Sequence, residues 1–144
     1  MRRFALELPA ELPRAAELAA FLEQACAALG LERARRDAIQ LCAEEIFVNI
    51  ALHGATQGPV RVAIALQGDA AAQTLILEDD APAFDPTTVA EPPPAASLED
   101  ATVGGRGLLL VRRFSAAQRH ARVGGRNRLQ LVFGPAAPGA RGGA

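Results

Sequence analysis

The stretch CAEEIFVNIALHG, residues 42–54, sets Glu45 and Asn49 four residues apart inside an apolar run. At roughly 100° per residue, Asp37, Gln40 and Glu44 fall together at roughly 220–280° from Glu45, a polar face for solvent. Glu45, Asn49 and His53 fall at roughly 0°, 40° and 80°, among Ala38, Leu41, Cys42, Ile46 and Leu52. A carboxylate and a carboxamide withdrawn from water are costly unless something satisfies them. That something is a structural network (Glu45 capping a nearby turn, for instance), bound water, or a ligand. Glu44 reads as a solvated acid. His53, next to Gly54, is placed to cap the carbonyls of the last helical turn.

Two further stretches carry chemistry. LILEDDAPAFDP ends an apolar strand in Asp79 and Asp80. Such a strand end either presents an acid to a pocket or starts a turn. VGGRGLLLVRRF places Gly104, Gly105 and Gly107 ahead of an apolar helix. Glycine lets a backbone approach a ligand closely, and a helix N-terminus offers unpaired N–H groups to an anion. The segment is neither a Walker loop nor a Rossmann fingerprint, because no Lys-Ser or Lys-Thr follows and the glycine spacing differs.

The elements that must position these groups follow from hydropathy patterning. RRFALEL alternates as a strand, and a helix with Pro13 in its first turn follows to Gly30. A second helix covers 32–53. GPVRVAIALQ and QTLILED are strands around a GDAAA turn. A stretch of about 25 residues rich in Pro, Ala and acids comes next, long enough to be a lid. RGLLLVRRFSA is a short helix, and AAQRHARV and RNRLQLVF form a hairpin around Gly124 and Gly125. The expected architecture is α+β: a two-layer sandwich whose mainly antiparallel, mixed sheet is covered on one face by helices, with the lid between the last helix and the strand before it. One domain over 1–134 and a flexible tail over 135–144 complete it.

Composition narrows the class. The 144 residues suit one domain. Net charge is −1 and all fifteen basic residues are Arg, which offers no overall positive field for a nucleic-acid backbone. No apolar run is long enough for a membrane helix, and Glu7 and Glu11 interrupt any signal-like start. A cytoplasmic protein is expected. Cys26 and Cys42 lack metal-ligand spacing and read as buried thiols.

Taken jointly, Glu-x-x-x-Asn on a helix, Asp at a strand end, a Pro-rich lid and G-x-G-L opening a helix resemble the ATP-binding domain of the gyrase, Hsp90, histidine kinase and MutL superfamily. EEIFVNIALHG, EDDAPAFDP, PPPAASLEDATVGGRGLLLVRRF and GGRNRLQLVF are most similar to the stand-alone anti-sigma factor serine kinases of bacterial partner-switching systems. The resemblance spans about residues 3–133 and implies a serine/threonine protein kinase using ATP and Mg²⁺. It implies that Asn49 holds the metal and that Glu45 is the catalytic base or orients the attacking hydroxyl. Asp79 would accept the adenine amino group. It implies a nucleotide site that also draws on His53, Ala81, Ala83, Phe84, Gly104, Gly105, Arg106, Gly107, Leu108 and Leu109. The implied substrate is a small antagonist protein of the anti-anti-sigma type, with a sigma factor as a further partner and a homodimer as the assembly. A degenerate module that sequesters a sigma factor or antagonist without phosphorylation is the alternative, as is a domain with no nucleotide in which Glu45 and Asn49 are structural. The aspartate box of the family usually reads D-x-G-x-G. Here Ala81 and Ala83 stand at the glycine positions, and an alanine forced to positive φ would cost about 1 kcal/mol.

Overall fold

The computed structural model describes residues 1–55, 58–84 and 105–135, with the backbone alone for 105–108. The expected tail beyond 135, most of the expected lid and Gly104 lie outside the described residues.

Strand β1 (Arg2–Pro9) leads through a single 3₁₀ turn (Leu12–Arg14) into α1 (Ala15–Ala28) and α2 (Arg33–Asn49). A π-helical turn (Ile50–Gly54) extends α2. Strands β2 (Arg61–Gly68) and β3 (Gln73–Asp79), helix α3 (Gly105–Phe114), and strands β4 (Ala117–Val123) and β5 (Arg126–Phe133) follow. The element order matches the sequence reading. The second helix differs in its last turn, which loosens into π geometry after Asn49.

The sheet order is β1-β2-β3-β5-β4. All four pairings are antiparallel, so the α+β class stands but the sheet has no parallel pair among the described strands. Short turns join β2 to β3 and β4 to β5, and a hairpin can only be antiparallel. Leaving β3, the chain returns through α3 and β4 before β5 pairs back onto β3.

Alternation decides which face is buried. Val62, Ile64 and Leu66 of β2, Leu75 and Leu77 of β3, and Leu129, Leu131 and Phe133 of β5 point to one side. They meet Leu18 and Leu22 of α1 and Ile39, Ile46 and Phe47 of α2 in one core. Each such side chain, fully withdrawn from water, stabilises the fold by about 1.5–3 kcal/mol. The opposite face carries polar pairs: Arg3 donates to Gln67, Arg61 to Glu7 and Arg128 to Glu78. Cys26 and Cys42 are buried and not bonded to one another. Burial pushes their thiols up to about 11 and about 12, so both remain protonated and inert at neutral pH.

The β2–β3 turn fixes the register that carries Asp79. Asp69 Oδ1 accepts from the N–H groups of Ala71 and Ala72 at 2.9 and 3.0 Å. Gln73, buried on the core face, donates to the Asp69 carbonyl and accepts from Arg35. Gly68 adopts φ 137°, and a Cβ there would lie 2.2 Å from the Ala72 carbonyl oxygen. A side chain at that position meets both a forbidden dihedral and a backbone clash. Gly68→Ala is therefore expected to cost about 2–3 kcal/mol, read as a lower denaturant midpoint at unchanged m-value. A change of less than about 0.5 kcal/mol would mean that this turn does not need its glycine.

Candidate functional site

The Glu45–Asn49 pair lies on the flank of the buried stripe of α2, not at its centre. Ile39, Cys42, Ala43, Ile46 and Phe47 form the centre, while Leu41, Glu45 and Asn49 are half-buried. Leu52, which the helical wheel grouped with them, is exposed. The reason is geometric. The wheel marks a polar face and its complement, but contact with the sheet covers only part of that complement. Glu44 is exposed, as expected.

The structural network considered for this pair is not found. Among the described residues neither Glu45 nor Asn49 makes a side-chain hydrogen bond. Nor does the expected cap form at His53, which is exposed and donates to no described carbonyl. Burial first, and then the neighbouring Glu44 charge, hold the Glu45 carboxyl above its ordinary range. The π turn that follows Asn49 is a feature that recurs at functional positions of helices.

Asp79 closes the core-facing row of β3 and is 7 % exposed. Its Oδ1 accepts two hydrogen bonds, from Ala81 N–H at 3.0 Å and from Asn127 Nδ2 at 2.9 Å. Among the described residues its Oδ2 accepts none. Asp80 takes a different role, accepting from the Arg61 N–H at 2.9 Å and tying the loop to the start of β2. The two adjacent acids are thus separated by strand alternation, one facing inward and one bonded to the start of β2.

Asn127 was not singled out from the sequence. It sits directly across the β3–β5 ladder from Asp79 and is 6 % exposed. A signal for it existed: in RNRLQLVF it shares the inward parity of Leu129, Leu131 and Phe133, and a polar residue in that row needs partners. The pairing of β5 with β3 brings it the first of them, Asp79.

Ala81 is buried and packs against the end of the π turn, where a Cβ on Gly54 would lie 3.1 Å from the Ala81 Cβ. The site is therefore joined across α2 and β3 by close packing at Gly54 and Ala81, not by hydrogen bonds. No residue other than glycine has positive φ among the described residues. Ala81 and Ala83 thus carry none of the dihedral cost that departure from D-x-G-x-G suggested. Ala83 and Phe84 expose their side chains, Phe84 at 55 %.

The glycine segment is also placed differently from expectation. Gly105 and Gly107 lie within the first turn of α3, not ahead of it. Their N–H groups belong to the set of four that a helix start leaves without intrahelical partners. Arg106 and Leu108 share that turn, and Leu109 behind it is half-buried. Helix α3 packs along α2, which brings the glycine-led helix to the element that carries Glu45 and Asn49.

Among the described residues no three His, Cys, Asp or Glu gather into a metal-binding set. A hard cation beside Asn49 would depend on phosphate and water oxygens for its remaining ligands, and a carboxamide oxygen with no partner among the described residues suits that arrangement.

Comparison with known proteins identifies the family. The family described as histidine kinase-like ATPase domain matches residues 8–133, and the chain belongs to it. A similar protein is the serine/threonine-protein kinase BtrW of Bordetella bronchiseptica. It is 39% identical over 98 residues, which cover 67% of this chain and 69% of the relative. Among the described residues no helix is long and apolar enough to cross a membrane.

Two outcomes test the site. If Gly54 makes room for Ala81, Gly54→Ala lowers stability and Ala81→Gly restores part of it. The pair should then show a coupling of about 1 kcal/mol in a double-mutant cycle, and additivity would refute the contact. Glu45 supplies the second. A carboxyl raised in the folded state favours folding while protonated, and that contribution is lost as pH rises through its folded pKa. Glu45→Gln should therefore melt higher than wild type at neutral pH and alike in strong acid. Equal melting at both pH values would show that the carboxylate is not strained by its surroundings.

Proposed function

We propose that this chain is an ATP- and Mg²⁺-dependent protein kinase that transfers the γ-phosphoryl group of ATP to a serine or threonine hydroxyl of a small antagonist protein. The observation that carries the reading is the pair of half-buried polar side chains, one turn apart on α2, that no described residue satisfies, on the helix along which the glycine-led helix packs. The similarity to a relative named as a serine/threonine-protein kinase supports the reaction class.

In this reading each group has one task. Phosphoryl transfer asks a protein mainly for positioning and charge stabilisation. Asn49 offers its carboxamide oxygen to the metal, which supplies charge neutralisation at the phosphates when bound. Unpaired N–H groups in the first turn of α3 hold phosphate oxygens. Asp79 accepts from the adenine amino group through the oxygen that Asn127 and Ala81 leave free. Glu45 takes or orients the proton of the attacking hydroxyl as its oxygen bonds to phosphorus and ADP leaves. Its raised pKa makes it a stronger base than an exposed glutamate. The antagonist is of the anti-anti-sigma type, and its phosphorylation releases it.

Incubation of the purified protein with labelled ATP, Mg²⁺ and its antagonist should label the antagonist. Glu45→Ala should lower the transfer rate by about 100-fold or more and leave ATP affinity within about threefold of wild type. Transfer at the wild-type rate would remove Glu45 from the mechanism. The acid limb of the wild-type pH–rate profile should lie above the ordinary glutamate range. Because Glu44 contributes to the shift, Glu44→Gln should move that limb to lower pH.

A further inference from the structure

The six-residue path from Asp79 to Phe84 is held by two side chains of the β4–β5 hairpin. Asn127 Nδ2 donates to Asp79 Oδ1 at 2.9 Å and to the Pro82 carbonyl at 3.0 Å, with a longer approach of 3.4 Å to the Ala81 carbonyl. Its Oδ1 accepts from Phe84 N–H at 3.1 Å and from Arg122 at 2.9 Å. The same Arg122 nitrogen donates to the Ala81 carbonyl at 2.9 Å. Arg122 stands opposite Asn127 in the β4–β5 register, as Asn127 stands opposite Asp79. A polar row therefore runs across three strands at the rim of the sheet.

We propose that Asn127 and Arg122 are positioning residues that aim the Asp79 carboxylate at an amino-bearing purine. This rests on the nucleotide-binding reading above. Only a carboxamide suits position 127, because its nitrogen faces three acceptors and its oxygen faces two donors. Rotating the amide would set oxygen against carboxylate and N–H against N–H. With Oδ1 of Asp79 committed to Asn127 and Ala81, Oδ2 is the oxygen left to accept from a ligand. The brace also replaces what two glycines would otherwise provide. Backbone freedom is not used between Asp79 and Phe84, and the path is set by hydrogen bonds from the neighbouring hairpin. Arg122, exposed at the rim, fixes the amide from outside and ties Ala81, the residue packed on Gly54, to β4.

The test uses the full chain with Mg²⁺ and two nucleotides, ATP and purine riboside triphosphate, which lacks the exocyclic amino group. Calorimetric Kd values are measured for wild type, Asn127→Ala and Arg122→Gln. Asn127→Ala should weaken ATP by about tenfold or more while weakening the analogue by less than about threefold, since the lost aim concerns one hydrogen bond. Arg122→Gln, a change at an exposed position, should weaken ATP by about threefold with little effect on the analogue, and it decides the matter if Asn127→Ala does not melt cooperatively. Equal loss for both nucleotides would reduce the pair to structural residues and overturn the inference. Unchanged ATP affinity in both variants would overturn it as well. Wild type that binds ATP no better than the analogue would refute the role of Asp79 itself, and wild type that binds neither would refute the nucleotide reading.

Discussion

A carboxylate at the inner end of a strand row can be buried only where donors reach it, and for Asp79 the principal side-chain donor is on the strand beside it. The Asp79–Asn127 hydrogen bond joins residues 48 apart in the chain. It requires β5, not β4, to lie against β3, and it requires the register that sets these two positions face to face. The loop to Phe84, the packing of Ala81 on Gly54 and the direction of the free carboxylate oxygen all follow from that one alignment. Hydrogen bonds to charged groups contribute about 1.5–3 kcal/mol each, and leaving a buried charge without them costs more. The network therefore specifies the rim of the site as well as stabilising it.

Helix α2 works under the opposite constraint. Its centre is sealed against the sheet, and its flank carries a carboxylate and a carboxamide that no described residue satisfies. A protein selected for stability alone would fill that flank with apolar side chains or give the acid a partner. Glu45 keeps a pKa raised by burial and by Glu44, a cost in folding that becomes useful only where a proton must be accepted. In the proposed mechanism the contrast between Asp79, which is tied, and Glu45, which has no partner among the described residues, separates a group that is aimed from one that reacts.

The alanines in EDDAPAFDP show how a motif position can change without losing its geometry. Glycine at those places suggests a need for positive φ or close approach. Among the described residues no non-glycine residue has positive φ. Ala81 occupies space left by Gly54, and the hairpin holds the loop that glycines would have let bend. A residue type read in isolation overstated the penalty, because the compensation lies on other elements.

Local pattern determined much of this protein. Period-2 and period-3.6 hydropathy placed the strands and α-helices of the described residues in order, since both signals depend only on neighbours in the chain. The same patterns separated Glu44 from Glu45 and set Asp79 at the end of an inward row. Three things needed the tertiary structure. The wheel could not say which part of the apolar sector of α2 the sheet would cover, because that depends on the angle at which the helix docks. It could not reveal Asn127, because an inward polar residue has meaning only once its cross-strand partner is known. Nor could it relieve Ala81, because the missing Cβ that accommodates it belongs to Gly54, 27 residues earlier in the chain. Periodicity is a property of neighbours in sequence. Satisfying a buried polar group is a property of neighbours in space.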